Sequence, residues 1–238
     1  TIFIYFFCDN NYMRDFLNTV ILKAKKSPKR IVFPEGSEER TLKAVKKIIR
    51  ENIALVTLLG DNLVIRKKLQ KLRVNSNNLQ IIEPLKSERL REYTNQFYQL
   101  RKHKGITLGN ADKILSDVTY FGTMMVYSGD ADGLVSGAIH TTGETIRPAL
   151  QIIKTKEKYH RVSGLFLMRV KNKVYLFADC AVNINPNAEE LAMIAMDSAN
   201  TALQFGIKPR IAMLSFSTHE SAKHEVIDKV RNAVKIVK

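Results

Sequence analysis

Three stretches of this sequence combine side chains and backbone that can handle an anion. The first is Gly129–His140 (GDADGLVSGAIH), followed by Thr141, Thr142 and Gly143. Asp130 and Asp132 precede a short apolar run; Ser136, Gly137 and His140 follow it. Glycines let an anion approach backbone N–H groups closely, and the start of a following helix favours negative charge. The same residues also suit a tight strand-to-helix turn, with glycine for positive φ and threonine as the cap. The second stretch is Arg147-Pro148, which the spacing places early in the next helix. A guanidinium there can fork onto a phosphate at the helix start, or simply be solvated. The third is Leu214–Ala222 (LSFSTHESA), read as a strand, a hydroxyl-rich turn carrying Ser217 and Thr218, and a helix. His219 and His224 suit an acid/base pair or metal groups, but no third ligand accompanies them, and histidines at a helix start are the plainer reading. Arg101-Lys102-His103-Lys104-Gly105 is a basic helix end, or a grip on a ligand's phosphate. No Walker loop, GxGxxG, GxSxG or HExxH is present.

The elements that would position these stretches follow a regular order. Phe16–Lys26 predicts a helix with Phe16, Leu17, Val20 and Ile21 on one face and Lys23, Lys25 and Lys26 at its end. Arg30–Phe33, Ala54–Leu59 and Leu79–Ile82 are short β-rich runs closed by Gly or Pro. Between them lie amphipathic segments, one with Ser37 as its expected cap and Leu42, Val45, Ile48 and Ile49 facing a core, the next over Leu63–Leu72. Ser87–His103, Leu108–Leu115 and Tyr120–Tyr127 read as helices, and Gly133–Gly137 as a strand. Strands alternating with helices of these lengths predict βαβ units and a parallel sheet. Open sheets of that kind bind ligands beyond the carboxyl ends of their strands. After Arg147 the pattern changes. Val162–Val170 and Lys173–Phe177 flank Lys171-Asn172 as an antiparallel hairpin. Asn187–Phe205 is a long helix with Leu191, Ile194, Ala195 and Ala202 on its apolar face. Ile211–Phe216 is a buried strand, and a basic amphipathic helix runs from His224 to the end. The charged stretch between Ile153 and Lys158 marks a domain change.

Bulk properties narrow the function classes. The chain has 238 residues, 45% hydrophobic and 26% charged, which is enough to bury a good core. Lys and Arg number 38 against 23 Asp and Glu, a net charge of +15. The basic residues are dispersed, with no zinc spacing or RNP-type aromatic motif, so a nucleic-acid partner is not expected. A basic cleft for a phosphorylated small molecule, or base composition alone, accounts for the charge. Cys8 and Cys180 cannot build a disulfide framework or a CxxC site, which fits a reducing, cytoplasmic setting. No apolar run reaches the roughly 18 residues that span a bilayer, so no membrane partner is expected. Residues 1–12 (TIFIYFFCDNNY) lack the basic n-region and cleavage site of a signal peptide. They are read as a non-native extension, with Met13 as the expected start.

Taken together, the literal strings are specific. Leu100–Gly105 (LRKHKG), Tyr120–Met125 (YFGTMM), Gly129–His140, Thr145–Gln151 (TIRPALQ), Leu176–Asp179 (LFAD) and Ala212–Thr218 (AMLSFST) occur in an order and spacing that closely resembles the phosphate acetyltransferase family. The likeness runs from about Met13 to Lys238. It implies reversible transfer of an acetyl group between CoA and inorganic phosphate, with the sister butyryltransferase activity and a non-catalytic, CoA-binding remnant as alternatives. It implies an α/β fold of two α/β/α lobes with mostly parallel sheets, similar to isocitrate/isopropylmalate dehydrogenase-like architecture, with the site in the cleft between them. The expected lobes are residues 13–155 and 156–238. It implies a homodimer, with CoA or acetyl-CoA as substrate and neither a bound cofactor nor a metal. By motif, Arg147 is the expected catalytic residue and Arg101 a holder of substrate phosphate. Ser136, Gly137, His140, Ser217 and Thr218 are expected to line the same cleft. Two departures stand out. The family's C-terminal Ser-Arg pair and aspartate, which orient the acyl phosphate and deprotonate the thiol, have no counterpart before Lys238; the C-terminal part of the fold is therefore expected to be missing and the chain as given inactive. Glu220 stands where the family usually has glycine.

Overall fold

The computed structural model describes residues 4–5, 13–76, 79–155, 162–170, 173–216 and 224–238. In chain order the elements begin with β1 (Ile4–Tyr5), α1 (Met13–Lys26), β2 (Lys29–Phe33), α2 (Glu39–Arg50), β3 (Ala54–Leu59), α3 (Asn62–Lys71) and β4 (Leu79–Ile82). Next come α4 (Leu90–Arg101), α5 (Leu108–Leu115), α6 (Val118–Tyr127), β5 (Gly133–Leu134) and α7 (Thr142–Ile152). The chain continues with β6 (Leu165–Val170), β7 (Lys173–Ala178), α8 (Ala188–Gln204), β8 (Ala212–Met213) and α9 (Glu225–Val237). They divide into two units: Ile21–Lys154, and Thr155–Lys238 together with Thr1–Val20. Among the described residues no helix is long and apolar enough to cross a membrane.

The Ile21–Lys154 unit is built on a four-stranded parallel sheet in the order β4-β3-β2-β5. Side chains alternate across a strand, so each face receives its own apolar set. Phe33, Val56 and Leu58 point to one face and meet Leu42 and Val45 of α2 and Ile65 and Leu69 of α3. Val32 and Leu59 point to the other, against Tyr93 and Phe97 of α4 and Phe121 and Met124 of α6. Burial of one such side chain contributes about 1.5–3 kcal/mol, so these two layers hold the unit together. The α/β alternation is as expected, with local corrections. The cap of α2 is Glu38, whose carboxylate accepts from Thr41 N at 2.8 Å, rather than Ser37. The expected strand Gly133–Gly137 pairs only over Gly133–Leu134, with one further bond from Val135 N to Val32 O. Beyond that point the chain turns towards Glu35.

Both acidic residues ahead of β5 serve the scaffold. Asp132 binds the Arg30 backbone N–H at 2.8 Å and its guanidinium at 2.9 and 3.2 Å, fastening β5 beside β2. Asp130 accepts from Arg89 at 2.6 and 3.0 Å and from the hydroxyl of the buried Tyr93.

In the other unit, the described strands pair antiparallel: β6 with β7, as expected of a hairpin, and β1 with β8. The expectation of mostly parallel sheets in both lobes therefore holds for the four-stranded sheet alone. The predicted strand Ile211–Phe216 is limited to Ala212–Met213, and the predicted turn Lys171-Asn172 lies outside the described residues. Val174, Leu176 and Ala178 of β7 pack with Phe16 of α1 and Ile194, Ala195 and Ala202 of α8. α8 opens with a reciprocal cap between Asn187 and Glu190.

Asp179 organises the loop after β7. Its carboxylate accepts from Gly164 N (2.9 Å), Ala181 N (3.1 Å) and Val182 N (3.2 Å), and from the backbone and side chain of Asn183 (2.5 Å each). Burial alone would raise the carboxyl's pKa; these donors outweigh it and hold it below the usual carboxylate range. Asp179→Ala strands those N–H groups and is expected to lower stability by about 2–3 kcal/mol, read as a shift in the urea midpoint. A group held low stabilises above its ordinary pKa and loses that contribution as the pH falls, so the gap between the parent and the variant closes in acid. A gap that widened in acid would contradict this.

Candidate active site

Arg101, Ser136, Gly137, His140 and Arg147 fall in the Ile21–Lys154 unit, whereas His224 caps α9 in the other unit, accepting from Val226 N at 3.2 Å as the plainer reading expects; Ser217 and Thr218 lie outside the described residues, as do His219 and Glu220. Construction begins at the carboxyl end of β2, where Pro34-Glu35-Gly36 breaks the strand. Gly36 donates its N–H to Leu59 O at 3.1 Å, and a Cβ at this position would lie 2.5 Å from that same oxygen. Only glycine lets the turn close so tightly against β3, and the closure delivers the preceding Glu35 side chain inward, with 2% of it exposed.

Glu35 meets the loop between β5 and α7. Its Oε1 accepts from Gly137 N (3.3 Å), Ile139 N (2.7 Å) and His140 N (2.8 Å), and its Oε2 from Ala138 N (2.8 Å). Gly137, at φ +108°, supplies the reversal that turns successive N–H groups the same way. The backbone donors that glycine-rich spacing offers to a phosphate are thus occupied by a carboxylate from the protein itself. Burial pushes the Glu35 carboxyl upward, but the four N–H groups outweigh it and hold it at about 2. The ionised carboxylate can only accept, so His140 Nδ1, 3.0 Å from Oε1, carries its proton and donates. Ser136 Oγ lies at the hydrogen-bond limit from Nδ1, 3.5 Å. Arg40 closes the loop from outside with a bond to Ala138 O.

α7 then begins at a reciprocal cap: Thr141 Oγ1 accepts from Glu144 N at 3.3 Å, and Glu144 accepts from Thr141 N at 2.7 Å. This cap fixes Thr142 as the first helical residue and corrects the expectation for Arg147-Pro148. Both stand in the middle of α7 rather than in its first turn, and Arg147 is exposed. The Glu144 carboxylate, held low chiefly by the Thr141 N–H and hydroxyl, also feels the charges of His140 and Arg147. Arg101, the last residue of α4, has its Nε buried with no hydrogen-bond partner.

A residue given no role from sequence lies where these lines meet. Tyr120, near the start of α6, donates its hydroxyl to Gln151 Oε1 of α7 at 3.1 Å. Its phenol is held upward by burial, while Arg147 and Arg101 both pull it down. Tyr120 also packs on Phe97, one turn before Arg101 in α4, and Gln151 lies one turn after Arg147 in α7, so the phenol stands by the helix faces that carry both arginines. Among the described residues no group of three or more His, Cys, Asp or Glu is placed to hold a metal ion. Such an arrangement can grip a dianion by guanidinium forks and hydrogen-bond donors.

A family profile described as "Phosphate acetyl/butaryl transferase" matches residues 15–238. The chain belongs to this family. The phosphate acetyltransferase of Thermoanaerobacterium thermosaccharolyticum is 52% identical over 229 residues, a match covering 93% of this chain and 69% of that protein. That of Nitratidesulfovibrio vulgaris is 48% identical over 219 residues, 92% of this chain but 31% of the relative. The chain thus spans about two thirds of the first relative and about a third of the second. The crystal structure of a phosphotransacetylase from Streptococcus pyogenes superposes with a TM-score of 0.88 at 46% identity, covering 94% of this chain and 68% of that one. Of the residues in this arrangement, Glu35, Tyr120 and Glu144 were given no role by sequence reasoning. Glu35 had a signal, an acid at the carboxyl end of a central strand, and Tyr120 stood in one of the strings that carry the family resemblance.

Proposed function

We propose that this protein catalyses the reversible transfer of an acetyl group between CoA and inorganic phosphate. The observation that carries the reading is family membership over residues 15–238, supported by the approach of the helix faces bearing Arg101 and Arg147 to one phenol, Tyr120. In the direction of thioester synthesis, the CoA thiolate attacks the carbonyl carbon of acetyl phosphate. A C–S bond forms, the carbonyl oxygen takes up negative charge, and the C–O bond to phosphate then breaks. Arg147 is the catalytic residue: its guanidinium opposes the charge that builds on the carbonyl oxygen and on the departing phosphate. Arg101 binds a phosphate group of the substrates. Ser136, Gly137 and His140 line the same site in a loop that Glu35 holds rigid, and Ser217 and Thr218 belong to it by motif. CoA is a substrate in this scheme, not a resident cofactor.

The finer parts of the proposal rest on the family. They are two lobes, residues 13–155 and 156–238, with an isocitrate dehydrogenase-like architecture, a homodimer, and a cytoplasmic setting. Acyl preference is tested with acetyl phosphate and butyryl phosphate at equal concentration, following thioester formation with CoA. Faster turnover of acetyl phosphate supports the reading, and a clear butyryl preference sinks it in favour of the sister activity.

A further inference from the structure

We propose that Tyr120 is a positioning residue for the substrate's phosphate group: its hydroxyl, backed by the Gln151 amide, supplies a hydrogen bond to a phosphate held between Arg101 and Arg147. The inference rests on the function proposed above and adds a residue to it.

Four observations carry it. Tyr120 is fixed in place, because its ring meets Phe97 edge-on with centroids 5.8 Å apart and an interplanar angle of 77°. Its hydroxyl is tied to Gln151 from a different helix, so the oxygen has one defined position. The phenol meets both arginine-bearing helices one turn from the arginines, at Phe97 of α4 and Gln151 of α7, and feels both charges. Finally, those arginines are uncommitted. Among the described residues neither forms an ion pair, whereas Arg30, Arg40, Arg50, Arg89 and Arg231 each do. The acid that faces the phenol is Asp117, and its Oδ1 is already engaged in capping α6 through Thr119 N and Tyr120 N, at 2.9 and 3.0 Å.

The chemistry of the pair suits a dianion. A carboxamide presents an acceptor on one side and a donor on the other, and turning it over exchanges them. With the Gln151 amide turned, its N–H donates to the Tyr120 oxygen, and the phenolic O–H is released to donate to a phosphate oxygen. Burial keeps the phenol protonated, so the donor persists through the neutral range. Neither guanidinium can accept a hydrogen bond, and the hydroxyl adds a third, directional donor that fixes how the anion sits between two charges.

The test is calorimetric titration of inorganic phosphate, and separately of CoA, into the parent chain, Tyr120→Phe, Gln151→Leu and Arg147→Ala. A hydrogen bond to a charged group contributes about 1.5–3 kcal/mol, so Tyr120→Phe is expected to weaken phosphate binding roughly tenfold or more. CoA affinity and the thermal midpoint are expected to stay unchanged, which a merely structural role would not predict. Gln151→Leu, which leaves the ring untouched, is expected to weaken phosphate binding by a smaller factor. Phosphate binding to Tyr120→Phe that equals the parent's overturns the inference and leaves the proposed function standing. So does an equal loss for phosphate and CoA. If Arg147→Ala binds phosphate as the parent does, or the parent does not bind it, the proposed site fails and the inference fails with it.

Discussion

Replacing Arg147 with alanine is expected to slow acetyl transfer by roughly 10²–10³-fold, the loss typical when one donor to a developing oxyanion is removed. Stability is expected to stay within about 0.5 kcal/mol of the parent, because the side chain is exposed and alanine suits a helix interior. The separation of these two effects is what makes the variant informative. The described contacts give Arg147 no ion pair to lose, and its nearest influence on the scaffold is a modest one, on Glu144. If the charge acts on the transition state, kcat and kcat/KM should fall together; if it serves only ground-state binding, KM alone should rise. Arg147→Lys keeps the charge but not the fork, so it should recover part of the loss and not all of it. A variant with an unchanged rate would remove Arg147 from the site.

The second large effect concerns Glu35, and it appears in stability before it appears in catalysis. A carboxyl held at about 2 against an ordinary value of 4.5 contributes ~3 kcal/mol at neutral pH. Glu35→Gln removes that charge and also turns an amide N–H₂ towards the Gly137–His140 donors, so at least one faces another donor. The expected loss is on the order of 3 kcal/mol, or on the order of 10 °C in Tm for a domain of this size. The sign of the pH dependence follows from the lowered value. The stabilisation is complete above the ordinary carboxyl pKa and is lost as the pH falls from 4.5 towards 2. Urea melts of both proteins should therefore diverge most at neutral pH and converge in strong acid. His140 should respond as well: without an obligate acceptor at Nδ1, its ring is free to change tautomer, which nitrogen NMR of the imidazole reads directly. Equal midpoints at neutral pH would mean that the loop holds its shape without Glu35.

The comparison between sequence and structure turns on range. The βαβ order was legible because its signals are local. Ile31–Phe33 and Ala54–Leu59 are apolar runs of strand length, and Leu42 and Val45 sit at helical spacing on the buried face of α2. Errors arose where a local rule met a competing partner. Ser37 is a good cap by type, but Glu38 is the residue whose carboxylate reaches the free N–H groups of α2. Gly133–Gly137 reads as one strand, yet Glu35 draws the backbone after Val135 out of the ladder. The spacing sets Arg147 too near the start of α7 because Pro148 suits a first turn, whereas the Thr141–Glu144 cap sets the start earlier. The Glu35 clamp was not legible at all: its partners lie 102–105 residues away, and nothing in Pro34-Glu35-Gly36 names them. Tyr120 was hidden for the opposite reason, since an aromatic residue in an apolar helix reads as core. Its hydroxyl acquires meaning only when α4, α6 and α7 are brought together.

The most direct test of the account is to mix the protein with acetyl-CoA and inorganic phosphate and follow the phosphorus NMR spectrum while free thiol is titrated. Acetyl phosphate should appear in step with released CoA thiol, and Arg147→Ala should suppress both signals together. Thiol released without acetyl phosphate, or an acetyl-CoA pool that persists unchanged, would contradict it.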